Sequence, residues 1–179
     1  MVHSEKGAEV TFKLLLFGDG GVGKTTLTQR YVTGVFVESQ HITIGVDFHI
    51  KDLDCDGIPV KLQVWDFGGE ERFRFLLPSY CRGAAGGLFL YDTTSLPTLT
   101  HLTEWMKIIR ENAGPIPVIV VGSKADLTSQ RKVQAHEAVT AAKQHKLKGF
   151  AEVSAKSGEN VEAVFETITR LMLKGNGLQ

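Results

Sequence analysis

Apolar positions fall into two alternating patterns, short continuous runs and spaced stripes. Val10–Phe17 is an apolar run, broken only by Thr11 and Lys13, that stops at the glycine-rich Gly18–Gly21; it reads as a buried strand. Thr25–Thr33 follows with helical character. Val46–Leu53 and Val60–Asp66 read as two strands joined through Asp56-Gly57, a hairpin turn signal. Gly87–Tyr91 and Pro117–Gly122 are two more buried strands. Between them Leu99, Leu102, Met106 and Ile109 recur at helical spacing and mark one face of a helix. His136–His145 is a weaker helical segment and Phe150–Val153 a short strand. Val161, Val164, Phe165, Ile168, Leu171 and Met172 line one face of a C-terminal helix.

Strands that are apolar throughout and alternate with helices imply an α/β fold, a mostly parallel sheet covered on both faces. The one hairpin implies a single antiparallel edge strand. In such sheets ligands bind beyond the carboxyl ends of the strands, so the chemistry is expected in the loops after each strand.

Composition narrows this further. A chain of 179 residues is one domain, with 42% hydrophobic and 22% charged residues, ordinary values for a globular fold. Lys+Arg and Asp+Glu are both 20, so the formal charge is zero, which argues against a nucleic-acid binder relying on bulk charge. No apolar run approaches the roughly 20 residues that span a bilayer. Met1–Val10 carries Glu5, Lys6 and Glu9 and no apolar stretch, so it is not read as a secretory signal. Two cysteines, Cys55 and Cys81, without CxxC spacing make a reducing, cytoplasmic setting the expectation. The six histidines show no metal-binding spacing.

Gly18-Asp-Gly-Gly-Val-Gly23-Lys24-Thr25 fits G-x-x-x-x-G-K-[ST], directly after a strand and opening a helix. Glycines let successive backbone N–H groups turn toward phosphates, and a helix N-terminus adds its positive end. Lys24 supplies a point charge to the terminal phosphates, and the Thr25 hydroxyl can ligate Mg²⁺. This motif specifies a nucleoside triphosphate with magnesium but not the base.

The base is read from two other strand ends. Val118–Val121 runs into Ser123-Lys124-Ala125-Asp126, where Asp126 can accept from the N1–H and exocyclic amine of guanine. Adenine, an acceptor at N1, would leave that carboxylate unpaired. The Lys124 stem can lie along the base. Ser154-Ala155-Lys156 ends the next strand, and the Ala155 N–H can meet guanine O6. Each tetrapeptide is weak alone; two in order after the phosphate loop are much stronger. For the γ-phosphate, Asp66 ends a strand and can hold Mg²⁺ through water, and Gly69 offers an unobstructed N–H. Thr43, in the polar stretch Val37–Thr43, can complete the metal shell. Segments held only by γ-phosphate and metal are expected to relax when that phosphate leaves.

Together these residues resemble the Ras superfamily of small GTPases, closest to the Rab branch through Thr43-Ile-Gly-Val-Asp-Phe48 and Trp65-Asp66. The resemblance runs from about Lys13 to Leu173. It implies a three-layer αβα P-loop NTPase fold, with a six-stranded sheet whose second strand is antiparallel and about five helices. The implied division is a flexible N-terminus (1–9), a G domain (10–174) and a C-terminal tail (175–179). It also implies a GTP/GDP switch. Phosphate contacts fall on Gly18, Asp19, Gly20, Gly21, Val22, Gly23, Lys24, Thr25 and Thr26. Thr25, Thr43 and Asp66 surround the metal, and Ser123, Lys124, Asp126, Ser154, Ala155 and Lys156 surround guanine. Lys24, Gly69 and Glu70 form the catalytic set. Phe36 lies where the family keeps an aromatic at the guanine edge; packing under the loop is the competing reading. Implied partners are effectors, exchange factors and GTPase-activating proteins at switch I and switch II, with the chain itself a monomer.

Three positions depart from the family. Glu70 stands where the family has its catalytic glutamine, placing negative charge beside an anionic transition state. Ser123 replaces the asparagine of the guanine motif, a shorter side chain expected to bridge base and phosphate loop less well. Lys174-Gly-Asn-Gly-Leu-Gln179 contains no cysteine, so no prenyl anchor is expected in this chain. Asp66–Gly69 is also similar to Arf-like and Roc-type GTPases, which leaves room for a prokaryotic or archaeal Rab-like protein. Arg72 and Arg74 are read mainly as a charged face, with action in cis on the transition state as the sharper alternative. Phe73, Phe75, Leu76 and Leu77 make switch II apolar, an effector surface or simple packing. The leading function is a slowly hydrolysing GTP switch. A non-cycling pseudo-GTPase scaffold and, further off, a P-loop kinase stay open.

Overall fold

The computed structural model describes residues 9–38 and 42–179. In chain order the elements are β1 (Val10–Phe17), α1 (Lys24–Thr33), β2 (Val46–Cys55), β3 (Ile58–Phe67), a 3₁₀ segment (Glu71–Leu76), α2 (Leu77–Cys81), β4 (Gly86–Asp92), α3 (Leu96–Thr100), α4 (Leu102–Ala113), β5 (Val118–Ser123), a 3₁₀ turn (Thr128–Gln130), α5 (Ala135–Gln144), β6 (Gly149–Glu152) and α6 (Val161–Gly175). Among the described residues the sheet has six strands in the order β2-β3-β1-β4-β5-β6. Only β2 and β3 pair antiparallel; every other neighbour is parallel.

The continuous apolar run of β1 reflects burial on both faces. Alternate side chains point to opposite sides of a strand. Leu14 and Leu16 pack with Leu27, Tyr31, Phe165 and Ile168, beneath α1 and α6. Leu15 and Phe17 pack with Phe89, Trp105, Met106 and Ile109, on the other face. Tyr31 stacks flat on Phe165 at 3.8 Å between ring centroids, tying α1 to α6. These two apolar layers make the expected αβα sandwich.

Boundaries differ from the sequence reading where a local device sharpens them. The hairpin is tighter than expected: Asp56 (φ 55°) and Gly57 (φ 84°) alone form the turn, so both strands extend to meet it, with Cys55 opposite Ile58. The expected helix through Leu99 and Ile109 is split at His101, whose ψ of −3° tightens the chain for one residue. Leu99, Leu102, Met106 and Ile109 still share one buried face. Taking α3–α4 as one broken helix leaves the five helices anticipated. Residues 71–81, not assigned a helix from sequence, form the 3₁₀ segment and α2. Pro78 suits the first turn of α2, and Leu77 and Cys81 are buried. Both cysteines are free and buried. Residues 1–8, most of the N-terminal segment, and 39–41, within the polar stretch before β2, lie outside the described residues. At the other end, Gln179 Nε2 donates to Asp56 Oδ2 at 3.2 Å, so the tail contacts the hairpin turn. No described helix is long and apolar enough to cross a membrane.

Candidate functional site

The carboxyl ends of the five parallel strands open on one edge of the sheet, and the loops there enclose a cavity of about 720 Å³. After β1 the chain must turn beside β4. A Cβ on Gly18 would lie 2.2 Å from the Leu90 carbonyl oxygen, and φ there is 141°, so only glycine fits. Gly23 then caps α1 with no side-chain bond to its first amides, leaving those donors aimed at the cavity. Lys24 is only 5% exposed. Its Nζ donates to the carbonyls of Gly18 (3.0 Å) and Asp19 (2.7 Å). Burial pushes its ammonium down to about 8, against the pull of Asp66 and Asp19. A buried cation whose hydrogen bonds, among the described residues, go to carbonyls is poised for an anion.

Thr25, Thr43 and Asp66 come from α1, the segment before β2, and the end of β3. The Thr43 and Thr25 hydroxyls lie 2.7 Å apart, and Thr25 Oγ1 donates to Asp66 Oδ2. One hydroxyl carries one hydrogen, so Thr43 donates to Thr25. Asp66 is fully buried, and among the described residues its Oδ1 has no partner. Burial raises its pKa, with the Thr25 hydrogen bond and Lys24 acting the other way. Two hydroxyls and a carboxylate oxygen with an unmet lone pair fit a hard divalent cation that keeps water and phosphate as its remaining ligands.

At the other end of the cavity, Asp126 Oδ1 accepts from the Ser154 hydroxyl at 2.7 Å. That bond fixes the carboxylate at the cavity wall. Lys124 Nζ donates to the Gly21 carbonyl (2.9 Å) and to Asp92 Oδ2 (2.6 Å), so its stem crosses from β5 to the phosphate loop. Burial disfavours the Asp92 charge, but hydrogen bonds from Lys124 and Thr94 outweigh it and hold the carboxyl below its ordinary range. Ser123 ends β5 with its side chain buried. Its hydroxyl donates to the Val22 carbonyl and lies 2.9 Å from the Tyr91 carbonyl, so it does reach the phosphate loop. One hydrogen is shared between two acceptors, however.

Gly69 lies flush on the phosphate loop: a Cβ there would meet Asp19 C and Gly20 N at 2.2 Å. Its neighbour Gly68 donates to the Gly45 carbonyl at 2.7 Å, joining the segment after β3 to the segment before β2. Glu70 lines the cavity, and its carboxylate is not free. Arg72 Nε lies 2.5 Å from Glu70 Oε2. Arg72, read from the sequence mainly as part of a charged face, is 65% exposed and partly offsets the Glu70 charge.

Gly20, Gly21, Gly23, Lys24, Thr25, Thr26, Phe36, Thr43, Gly69, Glu70, Ser123, Lys124, Asp126, Ala155 and Lys156 line the cavity. Gly18, Asp19, Val22, Asp66 and Ser154 stand just behind that lining. The backbone of Gly18 and the carboxylate of Asp66 stand behind the wall, Val22 is core, and Ser154 acts on Asp126. The Asp19 side chain turns out toward α4. Phe36 is half-buried on the wall and belongs to neither apolar core. Leu27, Glu38, Ile42, Phe67, Leu127 and Val153 also line the cavity and were not anticipated. Most are apolar positions whose periodicity says only that they are inward. Asp92 and Thr93, which support the base-facing loop, could have been suspected from their place at the end of β4.

A profile of the Ras family matches residues 13–174. The chain is similar to Ras-related protein Rab-13 of Canis lupus familiaris, 41% identical over 174 residues, covering 96% of this chain and 85% of that protein. It is also similar to Ras-related protein Rab-19 of Mus musculus, 38% identical over 176 residues, covering 98% and 81%. Both matches span nearly the whole chain, the cavity-forming segments included: this chain belongs to the Ras family of small GTPases, as a Rab-like member.

Proposed function

We propose that this GTPase is a switch with slow intrinsic hydrolysis, selective for guanine and dependent on Mg²⁺, whose two switch segments present an effector surface. The observation that carries the reading is the meeting of Thr25, Thr43 and Asp66 beside Lys24, with Gly69 resting on the phosphate loop. Three separate segments converge where a γ-phosphate and its metal belong, so loss of that phosphate removes what holds them together. Thr25, Thr43 and Asp66 would hold Mg²⁺, which when bound supplies positive charge against the phosphate oxygens.

The residues divide the work. Lys24 and the first amides of α1 hold the phosphates. Asp126, oriented by Ser154, accepts from the guanine edge, and Phe36 covers the base. Glu70 accepts from the attacking water, and Arg72 offsets its charge. Glutamine combines an acceptor and a donor in one neutral group; here the two functions are split over a charged pair. Sharing them between two side chains is less well organised, which supports slow hydrolysis. Phe75 (75% exposed), Ile44 (77%) and Ile42 (62%) stand out from the switch segments, next to exposed Phe48 and Ile50 on β2. Apolar side chains concentrated there support partner binding that depends on the nucleotide. Exchange factors and activating proteins are read onto the same segments, and the cytoplasmic side of a membrane is the expected setting.

The test is to identify the nucleotide in purified protein by chromatography, then follow phosphate release from preloaded GTP in a single turnover. Recovered GDP or GTP, with phosphate appearing over minutes to hours, supports the reading. Adenine nucleotide, or no nucleotide bound, overturns it. Bound GTP that yields no phosphate over days makes the chain a non-cycling scaffold instead.

A further inference from the structure

The second residue of the phosphate loop carries a carboxylate that the nucleotide reading does not use. Asp19 is surrounded by groups from two other parts of the fold. His101 Nδ1 donates to its Oδ2 at 2.5 Å, and Trp105 Nε1 donates to its Oδ1 at 3.0 Å. Arg74, from switch II, brings a guanidinium nitrogen to 4.0 Å from Oδ1. The Arg74 guanidinium lies over the Trp105 ring at 4.8 Å and donates to Glu104 at 3.2 Å. Among the described residues its Nε is buried without a partner. The Asp19 side chain is 18% exposed, that of His101 43%.

The backbone of the same residue faces the cavity machinery. The Asp19 carbonyl accepts from Lys24 Nζ, and the Asp19–Gly20 peptide is the surface on which Gly69 rests. One residue therefore touches the phosphate lysine, the γ-phosphate glycine, the α3–α4 junction and switch II. Three physical consequences follow. A carboxylate facing the phosphates would repel them, and the His101 and Trp105 donors hold it outward. Two directional bonds to one carboxylate fix the orientation of the peptide it is attached to. The Arg74 approach is a charge contact rather than a hydrogen bond, so it is the limb that a shift of switch II breaks first.

We propose that Asp19 is a positioning residue for the phosphate loop, and that His101 and Arg74 act on nucleotide release through it. His101 is the accessible control point, at the one-residue break between α3 and α4. Arg74 is the limb that carries the state of switch II to the phosphate loop. The proposal rests on the reading that the cavity holds a guanine nucleotide.

The experiment uses the whole chain and measures dissociation of fluorescently labelled GDP, and of a labelled non-hydrolysable GTP analogue, at saturating Mg²⁺. The indole N–H resonance of Trp105 in the GDP-bound protein reports whether the cluster is intact. Asp19→Ala and His101→Ala are expected to shift that resonance and to speed release of both nucleotides about tenfold, the factor carried by a lost hydrogen bond to a charged group. Arg74→Ala is expected to speed release of the GTP analogue about fivefold and to leave GDP release within twofold. At Arg74 a merely structural role would speed both equally; at Asp19 and His101 it would lower the melting temperature along with the faster release, whereas the melting temperature of the GDP-bound variants is expected to stay at the wild-type value. Should Asp19→Ala fail to fold, Asp19→Asn removes the charge with little change of shape and carries the same expectation. A shifted indole resonance with release rates within twofold of wild type overturns the proposal and leaves the nucleotide reading standing. Equal effects of Arg74→Ala on both nucleotides overturn the switch II limb. Wild-type protein that binds no guanine nucleotide overturns both the reading and the proposal.

Discussion

Removing the Arg72 side chain leaves Glu70 facing the phosphates uncompensated. A carboxylate about 5 Å from a phosphoryl charge, at an effective dielectric near 20, is repelled by roughly 3 kcal/mol. The guanidinium on its far side, about 7 Å from the same charge, returns roughly 2 kcal/mol. The Glu70 side chain is 28% exposed and that of Arg72 65%, so solvent screens both terms. Halving them leaves about 1 kcal/mol for the effect of Arg72, or roughly fivefold in rate. Arg72→Ala should therefore slow hydrolysis about fivefold, and more at low salt. Glu70→Gln removes a net repulsion of about 0.5 kcal/mol, roughly twofold in rate, and restores acceptor and donor in one neutral group; it should accelerate hydrolysis by at least that factor. Glu70→Ala, with no group for the water, should stay slow. In Glu70→Gln protein the arginine has lost the carboxylate that holds it, so adding Arg72→Ala should change the rate less than twofold. The assay is single-turnover phosphate release at saturating Mg²⁺, at two ionic strengths, with GDP affinity and thermal stability as controls. If Arg72→Ala hydrolyses within twofold of the parent while those controls are unchanged, the charge-pair argument is refuted. If Glu70→Gln is slower by tenfold or more, Glu70 is itself the essential group and the repulsion argument is wrong.

Asp126→Asn should shift preference from guanosine to xanthosine triphosphate, because the amide can donate to the extra carbonyl; competition binding that keeps the original preference would remove Asp126 as the base reader. Ser123→Asn should slow GDP release by a few-fold up to about tenfold, since two amide hydrogens can serve the Val22 and Tyr91 carbonyls that now share one hydroxyl. Unchanged or faster release in a labelled-GDP chase would show that the site is already complete with serine. Thr25→Ala should weaken the Mg²⁺ dependence of nucleotide affinity far more than it lowers the melting temperature, because Thr25 meets Asp66 and Thr43 rather than either core. A large loss of stability with an intact Mg²⁺ titration counts against that placement.

Much of this molecule is local and therefore legible in the chain. Val10–Phe17 reads as a strand because Leu14–Phe17, buried on both faces, is continuously apolar, and it ends at Gly18 because the turn beside Leu90 admits no Cβ. Asp56-Gly57 specifies its own turn through two positive φ values. Lys24, Thr25, Asp66 and Asp126 stand at strand or helix ends, where parallel topology gathers them at one edge without further instruction. What the sequence leaves open is which charges meet once the layers close. Glu70 reads as a changed catalytic position and Arg72 as part of a charged face, and the 3₁₀ turn of switch II brings them together. Ser123 looks too short until β5 carries it under Val22. His101 and Trp105 are an ordinary surface residue and an ordinary core residue until α4 packs on the sheet and sets both against Asp19. Apolar periodicity encodes which face of a helix is buried. The partner that a polar group finds depends on the distance between elements far apart in the chain, which packing sets and no local pattern records.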